Sequence, residues 1–304
     1  MNILSYSKGV ERLVDPMMVG KTHYLQTKLK KLPVCLQRAI VKKATKKASQ
    51  MPFVVEPYCT FLFYKIPDPT KIQKFMPDGF VPVKSAIFAD QGKEEYYGIV
   101  SMFRIHTSVF WGARAEYYLV AKNTATGLTS WIMMDYISDT ISYDEAHGLK
   151  SPDCHQAVMT TTCEGDFICE MHSIDKTKKV ECTASLLHAK MRPLNERLWI
   201  EGNTSIAYGR LAGEPDGDLF SLTFFPEEMK QALDIPLSDV SHFNVASAHT
   251  GRFGAVLDRV VSFPFAQHML SDAPGVHTHY DSEEALRKAA ESVNFSKIKT
   301  LAGK

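Results

Sequence analysis

The residues best suited to chemistry gather around Glu116 and the polar segment downstream of it. Glu116 stands in AEYYLVAK (115–122), where its neighbours are apolar or aromatic. A carboxylate on the pocket side of such a strand can serve as a general acid or base. On the other side it would face water or pair with Arg104 or Arg114. The later segment, ISYDEAHGLKSP (141–152), carries Asp144, Glu145, His147 and Lys150. His147 could take a proton or hold a ligand by hydrogen bond, and a loop histidine is otherwise exposed and idle. Arg104, in VSMFRIHTS (100–108), has the planar fork that suits a substrate carboxylate, unless it simply faces solvent. Phe103, Tyr117, Tyr118 and Trp131 could line an apolar pocket or fill a core.

Other patterns carry less. His277 and His279, with Asp281, lie in PGVHTHYD (274–281) without a third ligand fixed elsewhere, so no metal is expected. GRFGAV (251–256) lacks the glycine spacing and the strand-to-helix setting of a nucleotide loop and reads as a strand bend. No cofactor is expected.

These groups must be positioned by a chain of 304 residues, 45% hydrophobic, 23% charged, with net charge +1. That composition suits a sizeable core and predicts no general attraction to nucleic acid. No apolar run is long enough for a membrane span. The first twenty residues carry Glu11 and Asp15 and lack a long apolar core, so neither a secretory signal nor a transit peptide is expected. Six cysteines without a CxxC pair read as free thiols of a reducing, cytoplasmic compartment.

Periodicity predicts a β-rich domain over 54–270, a helical extension over 1–53 and a helical tail over 271–304. In the extension, Leu36, Ile40, Val41 and Ala44 fall on one helical face, with Lys42, Lys43, Lys46 and Lys47 opposite. Such a helix can make weak contact with an anionic membrane surface, or it can dock its stripe on its own domain or a sister subunit. The short stripe and the lack of large aromatics favour docking. VVEPYCTFLFYKI reads as a buried strand. Asp68 and Pro69 open a short helix that Pro77-Asp78-Gly79 ends. Short strands then alternate with turn segments in an antiparallel meander. Phe225-Pro226-Glu227-Glu228 is expected to open a helix through Leu233, residues 243–265 to form a last strand pair, and Ser282 to cap the final helix.

Several of these stretches together resemble the acetoacetate decarboxylase superfamily. YKIPDPTKIQKFMPDGFVPV (64–83) is similar to its strand, short helix and Pro-acid turn. VSMFRIHTS and AEYYLVAK are similar to its paired strands, the second bearing an acid. TSWIMMDYISDTISYDEAHGLKSP (129–152) is similar to its aromatic strand and lysine-bearing loop, and FSLTFFPEEMKQALDIPLSDV (220–240) matches its C-terminal part more weakly. The resemblance covers about residues 54–265 and implies an α+β fold, mainly antiparallel, with a β-barrel or cone-shaped sheet and helices at both ends. It also implies an oligomer, and a lysine that forms a Schiff base with a keto acid.

The sequence departs from that pattern where the chemistry lies. The family's Gly-Arg-Glu turn is Ser138-Asp139-Thr140, and its two lysines fall on Ala146 and His147. Its arginine falls near Pro57 and its earlier glutamate near Val100; Glu116 alone is kept. The expectation is an apolar pocket for a small keto acid or related carbonyl metabolite, without the standard decarboxylase lysine pair. Two alternatives are a lyase forming its imine through Lys150, and a ligand-binding or membrane-peripheral protein without catalysis.

Overall fold

The computed structural model describes residues 1–14, 17, 21, 24, 28, 31–46, 48–107, 111–140, 154–208, 219–246, 255–273 and 276–299. The apolar run after residue 50 folds as two strands, β1 (Gln50–Val55) and β2 (Cys59–Lys65). Between them Pro57 has no N–H to give a ladder, and Tyr58 turns the chain with φ 67°. The meander follows as β3 (Phe80–Pro82), β4 (Tyr97–His106), β5 (Trp111–Asn123) and β6 (Thr129–Ser138). Next come β7 (Cys154–Thr161), β8 (Asp166–Ser173), β9 (Lys179–Ser185), β10 (Lys190–Pro193), β11 (Ser205–Tyr208) and β12 (Leu219–Phe224). The last strands are β13 (Gln231–Ile235), β14 (Val240–Ala246), β15 (Val256–Phe263) and β16 (Gln267–Asp272).

Seven of these strands close into a barrel in the order β4-β1-β16-β12-β11-β6-β5, with β5 returning to β4. A closed ring with an odd number of strands cannot be antiparallel throughout. The exception is β11 against β6, which runs parallel. A parallel neighbour needs a long crossover, and the chain between β6 and β11 contains three strands of the second sheet, β14-β9-β8-β7, whose fourth strand, β14, comes later in the chain. The barrel forks at β4. Its residues 97–102 pair with β2, while Ile105 and His106 pair with β1. From β2 a wing continues through β15, β13 and β10.

The second sheet explains why the central strands read as continuous apolar runs. One face of β4, β5 and β6 points into the barrel. The other, including Val100, Met102, Ala115, Tyr117 and Ile132, packs on Phe167, Cys169, Met171 and Cys182 of the second sheet. Strands buried on both faces lose the in-out alternation of a half-exposed sheet. Mainly antiparallel β-structure with helices at both ends is therefore observed as expected.

Some details differ. Residues after Phe225 form only a 3-10 turn (Pro226–Met229), because β13 follows at once, held between β10 and β15. The expected last strand pair is two strands in different sheets: β14 pairs with β9 and β15 with β2.

Helices α1 (Ile3–Leu13), α2 (Val34–Thr45), α3 (Thr70–Gln73), α4 (Gly202–Thr204) and α5 (Glu283–Glu291) complete the fold. Asp68 accepts from Thr70 N at 3.0 Å at the start of α3, and Ser282 accepts from Ala285 N at 3.2 Å at the start of α5. On α1, Tyr6 and Val10 pack against Val54, Phe225 and Leu270, and the Tyr6 hydroxyl donates to Thr223 O at 2.6 Å.

Beside this contact, His268 of β16 lies with Nδ1 2.7 Å from Glu228 Oε1 and Nε2 3.2 Å from Glu11 Oε1 of α1. Burial alone would lower the imidazole's pKa; hydrogen bonds and charges from Glu228 and Glu11 outweigh it and raise the value above that of a free histidine. The link thus contributes fully below the unfolded-state value and is lost as pH rises through the folded-state one. The stability advantage of the wild type over His268→Gln is accordingly expected to shrink from mildly acid to mildly alkaline pH. Urea unfolding of both proteins across that range measures it, and a gap that widens with pH would contradict the assignment.

Candidate functional site

The barrel interior holds a cavity of about 90 Å³. Its wall is written in steps of two: Phe53 and Val55 on β1; Ser101, Phe103 and Ile105 on β4; Arg114, Glu116 and Tyr118 on β5; Trp131 and Met133 on β6; Gln267 and Met269 on β16. This is the period of strands that each present alternate residues inward. The volume is on the scale of a small organic molecule, and a single water needs only about 10–15 Å³.

The charged groups of the lining lie on β5. Glu116 is 6% exposed. The Tyr118 hydroxyl donates to its Oε2, and Arg114 Nε lies 2.9 Å from its Oε1. The guanidinium also stacks 4.8 Å from the centre of the Tyr136 ring. A β-bulge sets up that stacking: Tyr117 pairs with Asp135 but Tyr118 with Met133. Past the bulge, Tyr136 joins Trp131 and Met133 in the interior cluster, while Met134 and Ile137 pack toward the second sheet. Asp135 reaches Lys178 there, Oδ1 to Nζ, at 3.2 Å. An extra residue on one strand has turned an aromatic face under the cation.

Ser101 sits directly across the ladder from Glu116. It is 1% exposed, and its Oγ has no hydrogen-bond partner among the described residues. Cys59 also lines the cavity, but burial, and then the charge of Glu116, pushes its thiol pKa well up, so it is a neutral wall rather than a nucleophile. Gly202 backs the site. A Cβ there would lie 2.6 Å from Trp131 Nε1, so only glycine lets the indole lie against α4.

Searches against protein-family models and against curated proteins find no match. Among solved structures, the acetoacetate decarboxylase of Legionella pneumophila subsp. pneumophila str. Philadelphia 1 is similar at a TM-score of 0.48. The sequence identity is 13%, over 75% of this chain and 87% of that one.

Of the residues singled out from sequence, Glu116, Phe103, Tyr118 and Trp131 line the cavity. Arg104 does not line it. Its Nε lies 3.5 Å from Glu56 Oε2, and its guanidinium 4.9 Å from the Trp111 ring centre. Glu56 also accepts from Trp111 Nε1 at 2.5 Å and has His106 Nδ1 at 3.8 Å. Burial alone would raise the Glu56 carboxyl; the His106 hydrogen bond, the Arg104 charge and the Trp111 N–H outweigh it and keep its pKa below the ordinary value. Arg104 is thus part of an ion-pair cluster outside the cavity. His147 and Lys150 lie outside the described residues.

Among the described residues, Arg114 supplies the cavity's cation. Sequence reading named it only as an ion-pair partner, although its place two residues before Glu116 on a strand puts both on one face. Ser101, Asn203 and Gln267 complete the polar lining. Ser101 could have been found from its place two residues before Phe103; Asn203 and Gln267 had no signal, because chain closure brings them in. Among the described residues, no group of three or more His, Cys, Asp or Glu side chains is placed to hold a metal ion.

Proposed function

We propose that the barrel cavity binds a small, mainly apolar compound carrying one carbonyl or carboxylate group, such as a short keto acid. In this reading Arg114 and Ser101 anchor that group, and Glu116, oriented by Tyr118 and Arg114, takes or gives a proton at the carbon beside it. The observation that carries the reading is the buried Ser101 hydroxyl without a partner among the described residues, across the ladder from a buried Glu116–Arg114 pair in a mainly apolar cavity. A buried hydroxyl left unpaired costs about 1–3 kcal/mol. A ligand oxygen accepting from it recovers that cost, while aromatic walls exclude water and strengthen each polar contact.

Calorimetric titration with short keto acids, and with hydroxy acids of the same chain length, tests this. Ser101→Ala is expected to leave the unliganded protein at least as stable, since it removes an unpaired group. It is also expected to weaken binding by roughly 5- to 10-fold, the worth of about one hydrogen bond. Glu116→Gln is expected to keep most of the affinity and to lose proton exchange at the adjacent carbon, read by deuterium uptake. If no compound binds and Ser101→Ala destabilises the protein, the hydroxyl is structural and the reading fails.

Imine chemistry would need a lysine, and none lines the cavity among the described residues. That alternative therefore rests on Lys150. Borohydride reduction in the presence of a keto acid separates the two: a label on Lys150 supports the imine, and binding without a label supports the non-covalent reading.

A further inference from the structure

We propose that the segment around α2 docks the protein on an anionic lipid surface. Residues 16–55 contain nine Lys and Arg and no Asp or Glu, which leaves 26 basic and 34 acidic residues in the rest of the chain. A near-neutral total thus hides a strongly basic segment joined to an acidic body.

The sequence alone favoured docking of the α2 stripe on the protein's own domain or on a sister subunit. In the structure Val34, Leu36 and Ile40 are 40%, 50% and 44% exposed, and Leu32 just before them is 37% exposed. Between residues 31 and 46, every side chain described is exposed except Gln37, which is half-buried. Among the described residues, nothing covers Val34, Leu36 and Ile40 fully. Farther upstream in the same basic segment, Met17 and Tyr24 are 69% and 67% exposed.

Charge and hydrophobicity together select the partner. On α2, Leu36 and Ile40 are four residues apart on one face, with Lys43 at the edge of that face and Arg38 and Lys42 on the back. A helix lying in a membrane interface needs this arrangement, with apolar side chains among the acyl chains and lysines reaching back to the phosphates. Nucleic acid would satisfy the cations but leave the apolar residues in water. A second copy of the helix would bring like charges together. An acidic lipid leaflet satisfies both features, at about one factor of five in affinity for each Lys or Arg near the surface.

The test is co-sedimentation of the full chain with vesicles of phosphatidylcholine alone or mixed with phosphatidylserine. Binding is expected to the mixed vesicles only, and to fall in high salt. The Lys42→Gln/Lys43→Gln/Lys46→Gln triple variant and the Leu36→Gln/Ile40→Gln double variant are each expected to lose at least tenfold in affinity. Both should melt like the wild type, since the altered side chains are exposed. Failure to bind mixed vesicles would overturn the proposal, as would binding that the Leu36→Gln/Ile40→Gln variant leaves intact. Binding to a DNA duplex that both proteins share, or a dimer lost in the double variant without vesicle binding, would replace lipid with nucleic acid or a second copy.

Discussion

Arg114→Ala is expected to destabilise the protein by about 3–5 kcal/mol, the range found when one partner of a buried ion pair is removed. Arg114 and Glu116 are two residues apart on β5, and their side chains are 14% and 7% exposed. Neither charge has bulk water to replace its partner. With the guanidinium gone, Glu116 would keep the Tyr118 hydroxyl as its donor and lose the opposite charge. The Tyr136 ring would also lose the cation above it. The cost in the single variant is mostly that of a stranded carboxylate, so removing both charges should be far milder. Arg114→Met/Glu116→Leu is expected to recover most of the stability and to bind no carbonyl ligand. Urea unfolding of the two single variants and the double variant gives the coupling energy directly. A coupling under about 0.5 kcal/mol would mean that water solvates the pair, as at a protein surface.

Local patterning reached as far as strand alternation can reach. It located the strand bearing Glu116, three of the four aromatics expected at the pocket (Tyr117 instead packs toward the second sheet), and the caps at Asp68 and Ser282, because each of these is decided by neighbours along the chain. It went astray on Arg104. Phe103 and Arg104 are consecutive on one strand, so they cannot both face the cavity. Which of them does depends on register. Ser101 opposite Glu116 and Phe103 opposite Arg114 put the odd-numbered residues of β4 inside, and that pairing is written in no single stretch of sequence.

Closure was equally out of reach. β16 is six residues, QHMLSD, with Gln267 turned inward and His268 outward beneath α1. Such mixed polarity has no strand signal until β1 and β12 lie on either side. The parallel contact of β11 with β6 joins residues 75 positions apart. The cavity is likewise a product of closure, since its polar lining comes from β4, β5, β16 and α4. The basic segment was legible as charge, whereas the exposure of its apolar stripe became visible only in three dimensions.

Trp199→Ala is expected to cost about 3–5 kcal/mol and to open a second, dry cavity behind the first. The indole is fully buried in the short helical stretch before α4. It meets Phe61 at 5.1 Å, Phe263 at 5.2 Å, Phe63 at 5.6 Å and Trp131 at 5.7 Å between ring centres, each with a steep tilt. Its Nε1 donates to Ile87 O at 2.9 Å, so truncation also removes one of the two donors to that carbonyl, the other being Asn195 N at 3.0 Å. Phe61 and Trp131 line the barrel cavity on their other sides, which makes Trp199 the support for that wall. Tightly packed surroundings refill such a void only in part. Benzene or indole should therefore enter it and raise the melting temperature of Trp199→Ala well beyond any shift in the wild type. Trp199→Phe, which keeps a ring but not the N–H donor, should fall between the two proteins in stability. If the alanine variant loses less than about 1 kcal/mol, or if both proteins respond alike to the aromatic compounds, the four rings do not depend on Trp199 for their arrangement. The wall of the cavity would then be set by the barrel strands alone.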